Sequence, residues 1–137
     1  MDVVARHFVR IESPVEMEAL GDLPESLSRI PLVLGGGSNV LFTGDIDRLV
    51  VLNEIRSKEI IGEDNDHVYV KTGAGENWHQ FVLYCIENNL AGVENLSLIP
   101  GKTGASPMQN IGAYGVELKE VFHELEAWHL QDKTWVK

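Results

Sequence analysis

The strongest restriction on the fold comes from residues 91–116, which show neither helical nor strand periodicity. This segment contains five glycines and two prolines. A long loop without secondary structure is uncommon in a compact domain and is usually functional. Because 137 residues suffice for one ordinary domain, the loop is expected to belong to that domain and to carry part of its function.

Regular elements are predicted on both sides of this loop. β-Branched or alternating runs predict five strands, near residues 3–11, 31–34, 49–52, 55–61 and 67–71. A capping box starting at Ser13 predicts a short helix that ends near Gly21. A second helix begins near Trp78, where apolar residues recur at helical spacing, and ends around Asn88-Asn89. Residues 117–130 fit a strand or a helix, and we favour the strand.

The composition excludes several classes of partner. A net charge of −10 argues against nucleic acid and against an anionic membrane surface. No apolar run approaches the roughly 20 residues of a membrane span, and the start of the chain lacks a signal-peptide pattern. The single cysteine, Cys85, forms no internal disulfide and is expected to be buried on a helix face, which fits a cytoplasmic protein. The five histidines show no paired metal spacing, so no metal site is predicted.

Gly35-Gly36-Gly37-Ser38-Asn39 follows a predicted buried strand and offers consecutive backbone N–H groups without bulky side chains. Such a backbone nest can hold a phosphate or diphosphate. The segment is not a Rossmann fingerprint, because Val40 stands where the third glycine belongs. From the glycines alone, a tight structural turn explains the sequence equally well.

Two further glycine motifs are less specific. Gly101-Lys102-Thr103-Gly104 is not a nucleoside-triphosphate loop, because that template requires a glycine where Leu96 lies. Gly73-Ala74-Gly75-Glu76-Asn77 joins a strand to a helix, so its amides are suited to an anion. Strand-to-helix turns also need glycine for their geometry, and both interpretations stay open here.

Residues 99–115 are the most informative segment. Their small side chains let a backbone approach a flat ligand closely, and Gln109 and Asn110 offer carboxamides to the polar edge of a heteroaromatic ring. Tyr114 is suited to stacking or hydrogen bonding. A functional interpretation is therefore favoured over a purely structural loop.

Together the motifs at residues 34–41, 73–78 and 94–118 resemble the UDP-N-acetylenolpyruvoylglucosamine reductase family, and the resemblance extends over essentially the whole chain. It implies an α+β FAD-binding domain of the vanillyl-alcohol-oxidase type, with two small halves, approximately 1–62 and 63–137. In that family, NADPH reduces a noncovalent FAD, and the flavin passes a hydride to the enolpyruvyl group of a UDP-sugar. Protonation then gives UDP-N-acetylmuramate for the bacterial cell wall.

The resemblance implies that the glycines near residue 36 hold the FAD diphosphate, while the later loop lines the flavin and its ribityl chain. The predicted cofactor-binding residues are Gly35, Gly36, Gly37, Ser38, Asn39, Gly73, Gly75, Pro100, Gly101, Gly104, Ala105, Gln109, Asn110, Ile111, Gly112, Ala113, Tyr114 and Gly115. None of these is a histidine or cysteine that could bond the flavin.

The sequence also departs from the family pattern. An Asn-Thr-x-Gly segment is expected before Met1, and the catalytic residues and the substrate-binding domain are expected beyond Lys137, so the chain reads as a truncated, inactive part of the enzyme. Lys102 replaces a usually small or apolar residue, and Met108 a branched one. Two alternatives are a non-catalytic FAD-binding module and another flavin oxidase of this fold.

Overall fold

A computed structural model describes residues 2–24 and 31–137. The helices are α1 (Pro14–Ala19) and α2 (Trp78–Glu87). The strands are β1 (Ala5–Ile11), β2 (Leu32–Leu34), β3 (Ile46–Asn53), β4 (Lys58–Glu63), β5 (Val68–Thr72), β6 (Gly112–Ala113), β7 (Val116–Glu117), β8 (Ala127–His129) and β9 (Thr134–Val136). In the part of the chain described here, no helix has the length and apolar character needed to cross a membrane.

The first part of the chain builds a three-stranded parallel sheet in the order β1-β3-β2. Helix α1 follows β1 and begins with the expected capping box between Ser13 and Glu16. Ile11, Leu20, Leu49 and Val51 form the buried cluster on this sheet, and the more distant Leu130 packs against it. Because β2 and β3 run parallel, the residues after β2 emerge at the carboxyl end of the sheet.

The second part packs around α2. Asn77 caps this helix by accepting a hydrogen bond from the Gln80 amide, and the apolar face predicted from the sequence is largely buried. Its core partners come from the long loop that follows. The buried cluster comprises Trp78, Phe81, Val82, Cys85, Val93, Leu96, Ile111 and Leu118. An antiparallel pair, β4–β5, precedes the helix, and short pairs β6–β7 and β8–β9 follow it.

The mixed α+β class and the elements with strong local patterns are confirmed. The strand expected from residue 55 begins only at Lys58. The strand favoured for residues 117–130 is largely wrong. Leu118–Glu120 form a 3₁₀ turn, closed by a capping box between Glu117 and Glu120, and strand structure resumes only at Ala127–His129.

Candidate functional site

The glycine loop, residues 35–39, leaves the carboxyl end of β2 and is exposed from Gly36 onward. Gly37 adopts a left-handed conformation, with φ of +67°, and a Cβ at this position would meet no atom within 4 Å. Among residues 2–24 and 31–137, none of the five amides of this loop donates a hydrogen bond to another described group. Successive free N–H groups around a left-handed residue are the usual form of an anion-binding nest.

A second loop, which we call the Pro100 loop (residues 100–106), lies against the glycine loop. A Cβ on Gly36 would lie 3.6 Å from the Gly101 Cα. Gly101 has a φ of +128°, and a Cβ there would lie 3.3 Å from the Ser38 Oγ. The structure therefore brings together two glycine motifs that are more than 60 residues apart in the sequence.

The Pro100 loop is fixed to the strand-to-helix turn, residues 73–77. The Trp78 amide donates to the Gly101 carbonyl at 3.1 Å, and the Thr103 amide donates to the Glu76 carbonyl at 3.0 Å. The buried Thr103 hydroxyl also donates to the Gly73 carbonyl. These bonds fix the loop to the turn on one side, while the glycine loop lies against it at Gly101.

The structure of the turn bears on the two interpretations that the sequence leaves open. Gly73 and Gly75 are buried, and their amides donate to the carbonyls of Ser57 and Ile55 at 3.0 and 2.8 Å. A Cβ on Gly75 would lie 2.5 Å from the Glu54 carbonyl carbon. These amides are therefore not available to an anion, and both glycines are needed because another backbone passes close by. A cofactor contact by either residue stays a prediction.

Residues 109–115 continue from the Pro100 loop, joined to it by the Gln109 amide, which donates to the Ala105 carbonyl at 3.1 Å. Tyr114 and Gly115 both have positive φ values and form the two-residue turn between β6 and β7. Tyr114 is 89% exposed, so its ring is free for a ligand. Ile111 points the other way, into the core, and its backbone N–H and carbonyl are bonded to Ser106 and Leu118, so a cofactor contact by Ile111 stays a prediction.

The predicted site residues thus fall into three groups by exposure. The first group is exposed, the second is half-buried and the third is buried. Exposed are Gly36, Gly37, Ser38, Asn39, Pro100, Gln109, Asn110, Gly112, Tyr114 and Gly115. Half-buried are Gly35, Gly101, Gly104, Ala105 and Ala113, while Gly73, Gly75 and Ile111 are buried.

Lys102 and Glu54 form an ion pair behind the two loops, and the sequence did not predict it. The Lys102 Nζ lies 3.2 Å from the Glu54 Oε1 and donates to the Gly75 carbonyl at 2.8 Å. The hydrogen bond from Lys102, together with one from Arg56, lowers the pKa of Glu54 below its usual value. Lys102 and Arg56 thus share the carboxylate of Glu54.

Two other reactive side chains, Cys85 and His79, lie on α2. Cys85 is buried among the apolar residues of α2, and desolvation raises the pKa of its thiol. His79 accepts or donates a hydrogen bond at the Ser97 hydroxyl, 3.1 Å away. Within the described ranges, no three histidine, cysteine or acidic side chains are grouped to hold a metal ion.

Comparison with known proteins places this geometry in context. Residues 5–136 match the protein family described as the FAD binding domain. The chain is 51% identical over 123 residues to a UDP-N-acetylenolpyruvoylglucosamine reductase of Amoebophilus asiaticus, covering 90% of the chain and 36% of the relative. The corresponding protein of Flavobacterium johnsoniae is 46% identical over 131 residues (96% and 38%), and that of Burkholderia multivorans 49% over 130 residues (95% and 37%). The chain thus spans little more than a third of the length of these relatives.

Proposed function

Because the chain belongs to the FAD binding domain family, we propose that the glycine loop holds the diphosphate of a noncovalently bound FAD. The flavin and its ribityl chain then lie along the Pro100 loop and residues 109–115. The observation that carries this proposal is the row of five amides in the glycine loop with no partner among the described residues.

The electrostatics of the loop favour backbone recognition of the anion. The chain carries a net charge of −10, which by itself repels a diphosphate. The ammonium group of Lys102, at the back of the site, contacts Glu54 and the Gly75 carbonyl. The proposal therefore assigns the direct contacts with the diphosphate to the N–H dipoles, which a glycine-rich backbone presents at close range.

A covalent flavin bond is not part of the proposal. The glycine loop, the Pro100 loop and residues 109–115 contain neither histidine nor cysteine. Cys85 is 4% exposed and lies in a separate core. Acid precipitation of the holoprotein should therefore leave the yellow colour in the supernatant.

For the reaction, we infer the one named by the relatives: reduction of UDP-N-acetylenolpyruvoylglucosamine, here to UDP-N-acetylmuramate, with NADPH as reductant, during peptidoglycan synthesis in the cytoplasm. A bound flavin supplies the hydride transfer in such an enzyme. The residues of this chain bind and orient that cofactor. Substrate binding and proton transfer are assigned, in this proposal, to the parts of the relatives that the chain does not match.

The test compares two substitutions of nearly identical shape, Gly37→Asp and Gly37→Asn. Both side chains tolerate the left-handed backbone, and a Cβ at Gly37 meets no neighbour. Only the aspartate adds a negative charge beside the diphosphate. We expect Gly37→Asn to retain FAD binding and Gly37→Asp to lose it, with both circular dichroism spectra unchanged.

Ligand linkage gives a second measurement. FAD at about 100 times its dissociation constant should add roughly 2.7 kcal/mol to the unfolding free energy of the parent chain and of Gly37→Asn, and nothing to Gly37→Asp. Equal stabilisation of Gly37→Asp would refute the diphosphate assignment. A parent chain that FAD does not stabilise would refute the proposed function itself.

A further inference from the structure

The Lys102 side chain connects three parts of the cofactor region. A Cβ on Gly35 would lie 3.4 Å from the Lys102 Cβ and Cγ, and one on Gly36 would lie 3.6 Å from the Cγ, so the lysine stem lies next to these two glycines. At the other end of the side chain, the ammonium group contacts Glu54 and the Gly75 carbonyl.

The ammonium group is held inside the protein. The side chains of Lys102 and Glu54 are only 14% and 18% exposed, and Arg56 pairs with the same carboxylate. A charge so poorly exposed to water is held where its partner lies, because separating the pair would leave one charge uncompensated. The conformation of the lysine stem is thus fixed from its far end.

We propose that Lys102 and Glu54 are positioning residues for the glycine loop: their ion pair fixes the lysine stem beside Gly35 and Gly36, and this stem limits the movement of the loop whose five amides have no partner among the described residues. The proposal rests on the proposed function, since it takes FAD to bind at this loop. It assigns no direct phosphate contact to the lysine.

A competing explanation makes the opposite prediction for one substitution. If the Lys102 charge attracted the diphosphate directly, Glu54→Gln would release that charge and remove a nearby negative one, and FAD would bind more tightly. If the pair positions the loop, Glu54→Gln loosens the lysine stem and FAD binds more weakly. We expect the dissociation constant for FAD to rise roughly fivefold, equivalent to about 1 kcal/mol.

A double-mutant cycle tests the same point independently. Lys102→Met keeps the Cβ and Cγ beside the loop but removes the ammonium group. Two residues that act through one contact are not additive. We therefore expect Lys102→Met, Glu54→Gln and the double variant to weaken FAD binding by similar factors. Opposite signs for the two single variants, or a double variant equal to the product of both effects, would overturn the proposal.

Asp47→Asn provides the matched control. It removes one carboxylate, like Glu54→Gln, from an exposed ion pair with Arg6. Asp47 lies near the amino end of β3, far from the glycine loop. Leu52, which pairs with Leu34 just before the glycine loop, follows Asp47 by five residues, or about 16 Å of strand. We expect the Asp47→Asn variant to bind FAD with the same dissociation constant as the parent.

Riboflavin, which lacks the diphosphate, separates positioning from general damage. Fluorescence titrations with FAD and riboflavin, together with thermal unfolding without ligand, should be run on every variant. Positioning predicts weaker binding of FAD with unchanged binding of riboflavin. Equal weakening of both ligands, or FAD binding in Glu54→Gln at least as tight as in the parent, would contradict it, while a parent that binds no FAD would instead refute the proposed function.

Discussion

Gly37 and Gly104 illustrate two different physical requirements for glycine in the cofactor region. Gly37 has a left-handed backbone and open space around it, so its requirement is conformational. Gly104 is limited by space: a Cβ there would lie 2.5 Å from the Ala74 Cβ and 3.1 Å from the Ala74 carbonyl oxygen. Its amide also donates to that carbonyl, at 3.0 Å. The Pro100 loop can therefore approach the strand-to-helix turn this closely only at a residue without a side chain.

We expect Gly104→Ala to lower the unfolding free energy by about 1–3 kcal/mol, since overpacking forces the two backbones apart. Urea unfolding monitored by circular dichroism measures the change. Gly44→Ala is the matched control, because a Cβ on Gly44 meets nothing within 4 Å, and its effect should stay within about 0.5 kcal/mol. Equal midpoints for the two variants would show that the close contact at Gly104 carries no strain.

At the level of elements, α2 and the turn before it serve as the support of the site. The turn receives bonds from the Pro100 loop on one side and packs against Glu54 and Ile55 on the other. The helix continues from the turn and buries its apolar face, including Trp78, whose indole N–H donates to the Leu96 carbonyl at 2.7 Å. The support is thus structural, and the proposed ligand side lies on the loops that it holds.

Substitution of Asn77, the residue that caps α2, tests whether α2 and the turn before it are only a structural support for the site. Asn77→Ala removes the hydrogen bond to the Gln80 amide and should lower the unfolding free energy by about 1 kcal/mol. Asn77→Ser retains a capping oxygen and should behave like the parent. Because the support is structural, neither variant should change the affinity for FAD once the protein is folded. A dissociation constant that rises for Asn77→Ala well below its melting temperature would place the cap in the binding site.

Elements with local signals could be predicted from the sequence. The capping box at Ser13 and the end of α2, where Asn89 has a φ of +58°, depend on residues within a few positions of one another. The ion pair between Lys102 and Glu54 joins residues 48 positions apart, and nothing local indicates it. The apolar residues of segment 117–130 fit both the strand period and the helix period, so periodicity alone could not assign it. In the structure, a capping box at Glu117 stabilises a 3₁₀ turn at Leu118–Glu120.

For the whole molecule, the resemblance to the reductase family and the FAD-binding fold are confirmed, whereas the division into halves at residue 62 stays a prediction. The motifs were sufficient for the family because their order and spacing are specific. They could not reveal which glycines bind a ligand and which only permit close packing, since both kinds look alike in sequence. Gly37 and Gly75 differ in backbone conformation and in the space around them, and neither property is visible in the sequence.

We expect the 137-residue chain alone to bind FAD without reducing the enolpyruvyl substrate. In the proposed function, proton transfer and substrate binding are assigned to the parts of the relatives that this chain does not match. Without a positioned proton donor, a rate contribution of about 10²–10⁴ is lost. The measurement is NADPH oxidation that depends on UDP-N-acetylenolpyruvoylglucosamine. A rate comparable to that of one of the full-length relatives would refute this expectation.

The contacts between the two ends of the chain have a consequence for its synthesis on the ribosome. Leu130 packs on the cluster of the first sheet, and the Trp135 indole donates to Glu18, 117 positions earlier. Leu130 follows Leu49 by 81 positions, so at about 5–20 residues per second some 4–16 s pass between the translation of these two residues. For that time the nascent cluster lacks its contact with Leu130. Apolar side chains around Leu20 and Leu49 are then exposed to chaperones or to other nascent chains before the protein can close its own core.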